Sequence, residues 1–150
     1  MATGLPRTKA RRAAVQALYQ AQVNGEAPQK DTLEFVTAEY ADKIDKKYFV
    51  TLVDGTIKYQ NEIDEELTQV IDRDLAKIDP VEVSVLRLAV FEFIHLPEIP
   101  YRVVLNEAVE LAKSFGGEQG HKYVNGVLDK MGARLRSHEH QAAKAARQKK

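Results

Sequence analysis

The sequence predicts an all-α fold, and three observations carry that prediction. Apolar residues recur at steps of three and four along most of the chain. An Asp79-Pro80-Val81-Glu82 start leads into a run from Val83 to Ile94 that is apolar almost all round. Asn24-Gly25, Pro97, Pro100 and Gly116-Gly117 punctuate the chain where helices should stop. At 150 residues the chain has the length of one ordinary domain, enough to bury a core without staples.

Each element follows from its own residues. Val15, Leu18, Tyr19 and Gln22 share one face of a first helix, which Asn24-Gly25 ends. A short second helix is predicted from Asp31 to Tyr40, with Leu33, Phe35 and Val36 apolar. Asp45 can cap a long third helix, whose Phe49, Leu52, Val53, Ile57, Ile63, Leu67 and Ile71 keep one face apolar. Gly55 lowers its helix propensity by up to about 1 kcal/mol, which predicts close approach by another helix.

In the fourth helix Asp79 suits the N-cap, Pro80 the first helical position, and Glu82 the capping-box carboxylate. Its apolar circumference places it at the centre of the core, with Arg87 and Glu92 as its only polar edge. A buried strand is the alternative for this run; its length and Ala89 favour helix. The fifth helix starts at Tyr101 and packs through Val104, Ala108, Leu111 and Phe115. The sixth begins near Glu118 and carries Val124, Val127, Leu128, Met131 and Leu135, with Gly126 predicting a tight crossing. Beyond Arg136 the stripe is lost, so residues 137–150 read as a basic tail.

Composition limits the function. With no cysteine there is no disulfide framework, thiolate zinc site or cysteine nucleophile. No apolar run approaches the ~18 residues of a membrane span. The basic start lacks the apolar segment of a secretory signal, so a cytoplasmic protein is expected. His95, His121, His138 and His140 form no metal pattern, Ser114 has no positioned base, and Asp72 and Asp74 fall on different sides of a helix. No catalytic residue, metal or cofactor is therefore expected. The net charge is zero but unevenly spread. Residues 1–12 carry four bases and no acid, and residues 130–150 carry seven bases and one acid; the middle holds 11 bases against 21 acids. Basic ends around an acidic body suit a polyanion and a basic partner, although solubilising tails would give the same distribution.

Two segments carry candidate chemistry. Arg7, Lys9, Arg11 and Arg12 are predicted on a loop running into the first helix, where guanidinium groups can pair with phosphate and stack on bases. The turn from Lys113 to Tyr123 leads into a helix N-terminus that favours anions, with His121 and Lys122 adding charge and Tyr123 a stacking face. Tyr123 also lies on the apolar stripe with Val127, so a core role stays open. The turn lacks the ending of a phosphate-binding P-loop.

The stretch Ile99-Pro-Tyr-Arg-Val-Val-Leu-Asn-Glu-Ala-Val-Glu-Leu-Ala-Lys-Ser-Phe-Gly-Gly, followed by His121-Lys-Tyr-Val-Asn-Gly-Val-Leu-Asp-Lys, resembles the signature of the NusB family of transcription antitermination factors. Arg11-Arg12-Ala-Ala-Val-Gln-Ala-Leu-Tyr-Gln resembles its first helix, and Val85-Leu-Arg-Leu-Ala-Val-Phe-Glu its central one. Tyr48-Phe49 and Gly55 fit as well. The resemblance covers roughly residues 7–136; residues 26–45 fit poorly and the basic tail lies outside the pattern.

The resemblance implies two three-helix subdomains over residues 1–136, with residues 1–12 as a basic arm. It implies binding of boxA-type single-stranded RNA in ribosomal leader transcripts, together with the ribosomal protein NusE, and entry into the elongating RNA polymerase complex with other Nus factors. No membrane or DNA partner is implied. By position, Arg7, Arg11, Arg12, His121, Lys122 and Tyr123 match RNA-contacting residues, beside the basic Lys9 and Lys113. Tyr19 and Glu82 match positions near the ribosomal-protein interface. Similar domains also precede ribosomal RNA cytosine methyltransferases, but no cofactor-binding βαβ unit follows here. The alternative is a helical adaptor without RNA contact, docking a basic protein on the acidic body. Pro97-Glu98-Ile99-Pro100 would suit such an adaptor as a PxxP ligand, or serve only as a rigid turn.

Overall fold

The core is assembled around one helix whose sequence leaves it no solvent face. In the computed structural model, which describes residues 4–25, 38, 43–117 and 119–148, this is α4, Pro80–His95. Before it come α1 (Gly4–Asn24), α2 (Lys46–Lys58) and α3 (Gln60–Thr68), and after it α5 (Tyr101–Phe115), α6 (Gly120–Leu135) and α7 (Ser137–Gln148). A single 3-10 turn at Leu75–Lys77 precedes α4. No strand occurs among the described residues. The predicted helix at 31–40 falls almost wholly outside them.

Asp79 caps α4 as the sequence predicts, its Oδ1 accepting the Val81 N–H at 2.8 Å. Val85, Leu86, Leu88, Ala89 and Val90 are all buried, and α4 contacts α1, α2, α3, α5 and α6. α1 and α2 pack on each other and on α4, while α5 and α6 do the same. The predicted polar edge of α4 is not solvent-facing. Glu92 is 1% exposed, and Arg87 is engaged bidentately by Asp64 of α3 at 2.9 and 3.0 Å.

The predicted long third helix is divided into α2 and α3 at Tyr59, where φ is −102° and ψ 18°. The ladder nevertheless continues through the joint, with Tyr59 N–H donating to Gly55 and Ile63 N–H to Tyr59. A Cβ at Gly55 would stand 2.2 Å from the Phe91 ring, so glycine is required at this crossing. Tyr59 then stacks on His95 with ring centroids 3.9 Å apart. Helix ends at Thr68, which puts Asp72 and Asp74 in the following loop and not on two sides of a helix.

The glycine of tight approach in α6 is Gly132, not Gly126. A Cβ at 132 would meet the Tyr101 ring at 2.3 Å, whereas one at 126 would meet nothing within 4 Å. The predicted tail is likewise a docked helix. Arg136 is buried at the α6–α7 joint and donates to the carbonyls of Glu92, Phe93, Leu96 and Ile99. Those are carbonyls at the end of α4 and in the turn after it, of which Glu92 and Leu96 also accept the backbone N–H groups of Leu96 and Ile99. Glu139 of α7 binds Arg136 at 2.9 Å and accepts the free N–H of Tyr101 at the start of α5 at 2.6 Å. His140 reaches Asp129 at 3.0 Å and sits edge-on to the Tyr101 ring. Polar pairing therefore anchors α7, none of whose residues is fully buried.

Candidate nucleic-acid interface

The predicted basic arm is helical from Gly4, and helical geometry sorts its cations. Arg11 points inward and is 2% exposed. Its Nε and Nη2 donate to the two carboxylate oxygens of Glu92 at 2.9 Å each, its Nη1 to Glu107 at 3.1 Å, and its Nη2 also to the Tyr48 hydroxyl. Tyr48 in turn donates to Glu92 at 2.6 Å. Burial opposes the Arg11 charge, but the hydrogen bonds and charge of Glu92 more than offset it and hold the guanidinium above its usual range. Burial and the same carboxylate push the Tyr48 phenol up. Arg11 thus joins α1, α2, α4 and α5, and its donors are directed to protein acceptors.

The neighbouring cations lie nearer solvent. Arg7 is half-exposed over the Tyr48 ring at 4.6 Å, with Asp45 at 3.9 Å. Arg12 crosses to the end of α5, where it donates to Ser114 at 3.1 Å and lies 5.0 Å from the Phe115 ring centre. The fold therefore brings Arg12 to the turn that follows Lys113, joining two segments far apart in sequence. Lys9 is half-buried. Lys113 is exposed and 3.6 Å from Glu110, a distance at which it stays available to another anion.

At the start of α6, Lys122 is exposed and His121 half-buried. Tyr123 is half-buried against the core, and its hydroxyl is enclosed without a partner. Burial raises the phenol, while Arg73 opposes that shift. The guanidinium of Arg73 lies 4.5 Å from the ring centre, a cation–π contact that sequence reasoning missed. Arg73 sits in the loop after α3, and nothing in its local sequence announces a ring fifty residues onward. Asp72 holds Arg73 by a 2.8 Å bond. An open groove of about 220 Å³ runs beside this pair, lined by Asp72, Lys122, Tyr123, Gly126 and Lys130 among others.

Of the residues expected at a protein interface, Tyr19 is 37% exposed on α1. Glu82 does not close a capping box. Its carboxylate turns to the start of α6, where a Cβ on Gly120 would come within 3.1 Å of its Oε2. Burial and then Asp79 raise its pKa. Glu82 and the turn into Tyr123 are therefore adjacent in space. Among the described residues no group of three His, Cys, Asp or Glu side chains is arranged to hold a metal, and no helix is long and apolar enough to cross a membrane.

A family model described as the NusB family matches residues 8–133. The transcription antitermination protein NusB of Nitrosococcus oceani is 50% identical over 133 residues, 89% of either chain. That of Shewanella amazonensis is 48% identical over 128 residues, 85% of this chain and 96% of its own. Among solved structures, T. maritima NusB superposes with a TM-score of 0.70 at 31% identity, over 84% of this chain and 89% of its own. A chain from the complex of antitermination factors NusB and NusE with dsRNA gives a TM-score of 0.74 at 31% identity, covering 83% and 94% respectively.

Proposed function

Because this chain belongs to the NusB family, we propose that it is a transcription antitermination factor. It binds boxA-type RNA of ribosomal leader transcripts together with the ribosomal protein NusE, and joins the elongating RNA polymerase complex with other Nus factors. The observation that carries this reading is the family match over residues 8–133, which takes in α1 from Thr8 onward, the α5–α6 turn and α6 up to Gly132–Ala133. The relative solved with NusE and dsRNA supports the same two partners.

Within this reading Arg7, Lys9, Arg12 and Lys113 bind phosphate, as do Lys122 and His121. An unpaired base stacks at Tyr123, where Arg73 adds a planar cation to the platform. Arg11 serves indirectly, by fixing the helix from which Arg7 and Arg12 project. Tyr19 and Glu82 face the basic ribosomal partner. The site has no catalytic step and works in the cytoplasm, where nascent transcripts are met.

The test is binding of labelled boxA-like RNA with and without NusE at two salt concentrations. Binding should be tighter with NusE and weaken as salt rises. Retained NusE binding with no RNA contact in either condition would overturn the reading in favour of a protein adaptor.

A further inference from the structure

α7 lies beyond the stretch that the family model matches, which ends at residue 133, since α7 begins at Ser137. It is nonetheless fixed in place by the Arg136 and Glu139 bonds described above. Between α5, α6 and α7 it closes an open groove of about 500 Å³, whose wall includes Asn125, Gly126, Asp129, His140, Lys144 and Arg147. That volume is in the range of ligand-sized sites.

The charges in this groove are unbalanced. Asp129 is its only carboxylate, and His140 lies 3.0 Å from it. Glu139, the single acid after Arg136, is turned away to Arg136 and the Tyr101 N–H. Among the described residues neither Lys144 nor Arg147 has a carboxylate within ion-pair distance, nor do Lys122 and Lys130 of the neighbouring groove. The acid of that neighbouring groove, Asp72, is held by Arg73.

The two grooves have one residue in common, Gly126. It is exposed on α6, and a Cβ placed there would touch nothing. A missing side chain at the shared edge leaves a low crossing between a lysine-lined groove with a stacking ring and a second groove with Lys144, Arg147 and the Asn125 amide. We propose that α7 builds a second RNA subsite, which takes the phosphates of the strand as it leaves the Lys122–Tyr123 groove and crosses α6 over Gly126. The proposal rests on the RNA-binding reading above, and extends its footprint to a helix that follows the stretch matched by the family model. Single-stranded backbone fits this track better than a duplex, because a strand can turn through the low point and be held by point charges and an amide.

The experiment compares two labelled RNAs, one limited to the boxA-like element and one extended at either end, on the full chain with NusE. Lys144→Gln/Arg147→Gln changes two exposed side chains, so melting should be unaffected. The pair should weaken the extended RNA about ten-fold at low salt and lower its salt slope by about 1.4, for two phosphates at ~0.7 each. The short RNA should bind as before. Gly126→Gln keeps every charge and raises a wall at the crossing; because Gly126 also lines the Tyr123 groove, it should weaken the extended RNA more than the short one. Equal loss on both RNAs would reduce α7 to a general positive field and overturn the subsite. No loss on either would also overturn it, as expected if the groove instead holds an acidic protein segment. Wild-type protein that holds neither RNA would defeat the RNA-binding reading itself.

Discussion

Arg11→Ala is the substitution that most sharply separates a buried structural cation from an RNA ligand. The arginine donates to two oxygens of Glu92, to Glu107 and to Tyr48. Its removal strands the Glu92 carboxylate, 1% exposed, with the Tyr48 hydroxyl as its remaining donor. Breaking a buried pair by deleting one partner costs about 3–5 kcal/mol, because the other charge is left uncompensated. At about 2–4 °C per kcal/mol for a chain of this size, the melting temperature should fall by roughly 6–20 °C. Removing both charges with an apolar pair, Arg11→Leu/Glu92→Leu, should recover part of that loss, since the buried Glu92 charge is gone although Glu107 and the Tyr48 hydroxyl lose partners. Arg11→Lys should lie between, keeping the charge but losing the planar fork. The assay is thermal and urea unfolding followed by circular dichroism, with RNA affinity measured on folded protein. If Arg11→Ala melts within about 2 °C of wild type and loses RNA affinity, a cost under ~1 kcal/mol typical of an exposed pair, the reasoning from burial is wrong.

Four further outcomes are expected. Arg12→Ala removes a solvent-side contact with Ser114 and Phe115, so it should lower the salt slope of RNA binding by about 0.7 while costing under ~1 kcal/mol of stability by urea unfolding. Tyr123→Phe should leave RNA affinity intact, and Tyr123→Leu should cost ~1–3 kcal/mol of it in a titration; loss of stability with native affinity would mean that the ring only packs. Gly55→Ala should cost about 1–3 kcal/mol in unfolding experiments, because the added methyl meets the Phe91 ring. Glu82→Gln should weaken NusE binding most at low salt. Its effect on stability follows from the raised Glu82 pKa. The folded state holds that proton more tightly than the unfolded state, so the carboxylate opposes folding above the ordinary carboxylate range and ceases to do so below it. Glu82→Gln should therefore melt slightly higher than wild type near neutral pH, with the difference vanishing in acid.

Much of the architecture is local information, and the sequence alone carries it. The Asp79 cap, the Pro80 start and the absence of a polar face determine where α4 begins and that it lies at the centre, because capping and amphipathicity depend on residues within a few turns. The starts of α2 and α5 and the close approach at Gly55 are legible for the same reason. The family was legible as well, through motifs that run in order along the chain.

What only the tertiary structure decided concerns charged groups and distant partners. Four neighbouring cations look alike in Arg7, Lys9, Arg11 and Arg12, yet one is enclosed by Glu92, Glu107 and Tyr48 while Arg12 reaches the end of α5. The Arg73–Tyr123 stack and the capture of α4's last carbonyls by Arg136 join residues far apart in the chain. Residues 137–148 lack an apolar stripe and read as a tail, but Glu139 and His140 anchor them as a helix. Hydrophobic periodicity records which face of a helix is dry. It does not record which buried charge meets which, because the energy of such a pair depends on geometry set by other helices, and that geometry exists only once the chain has folded.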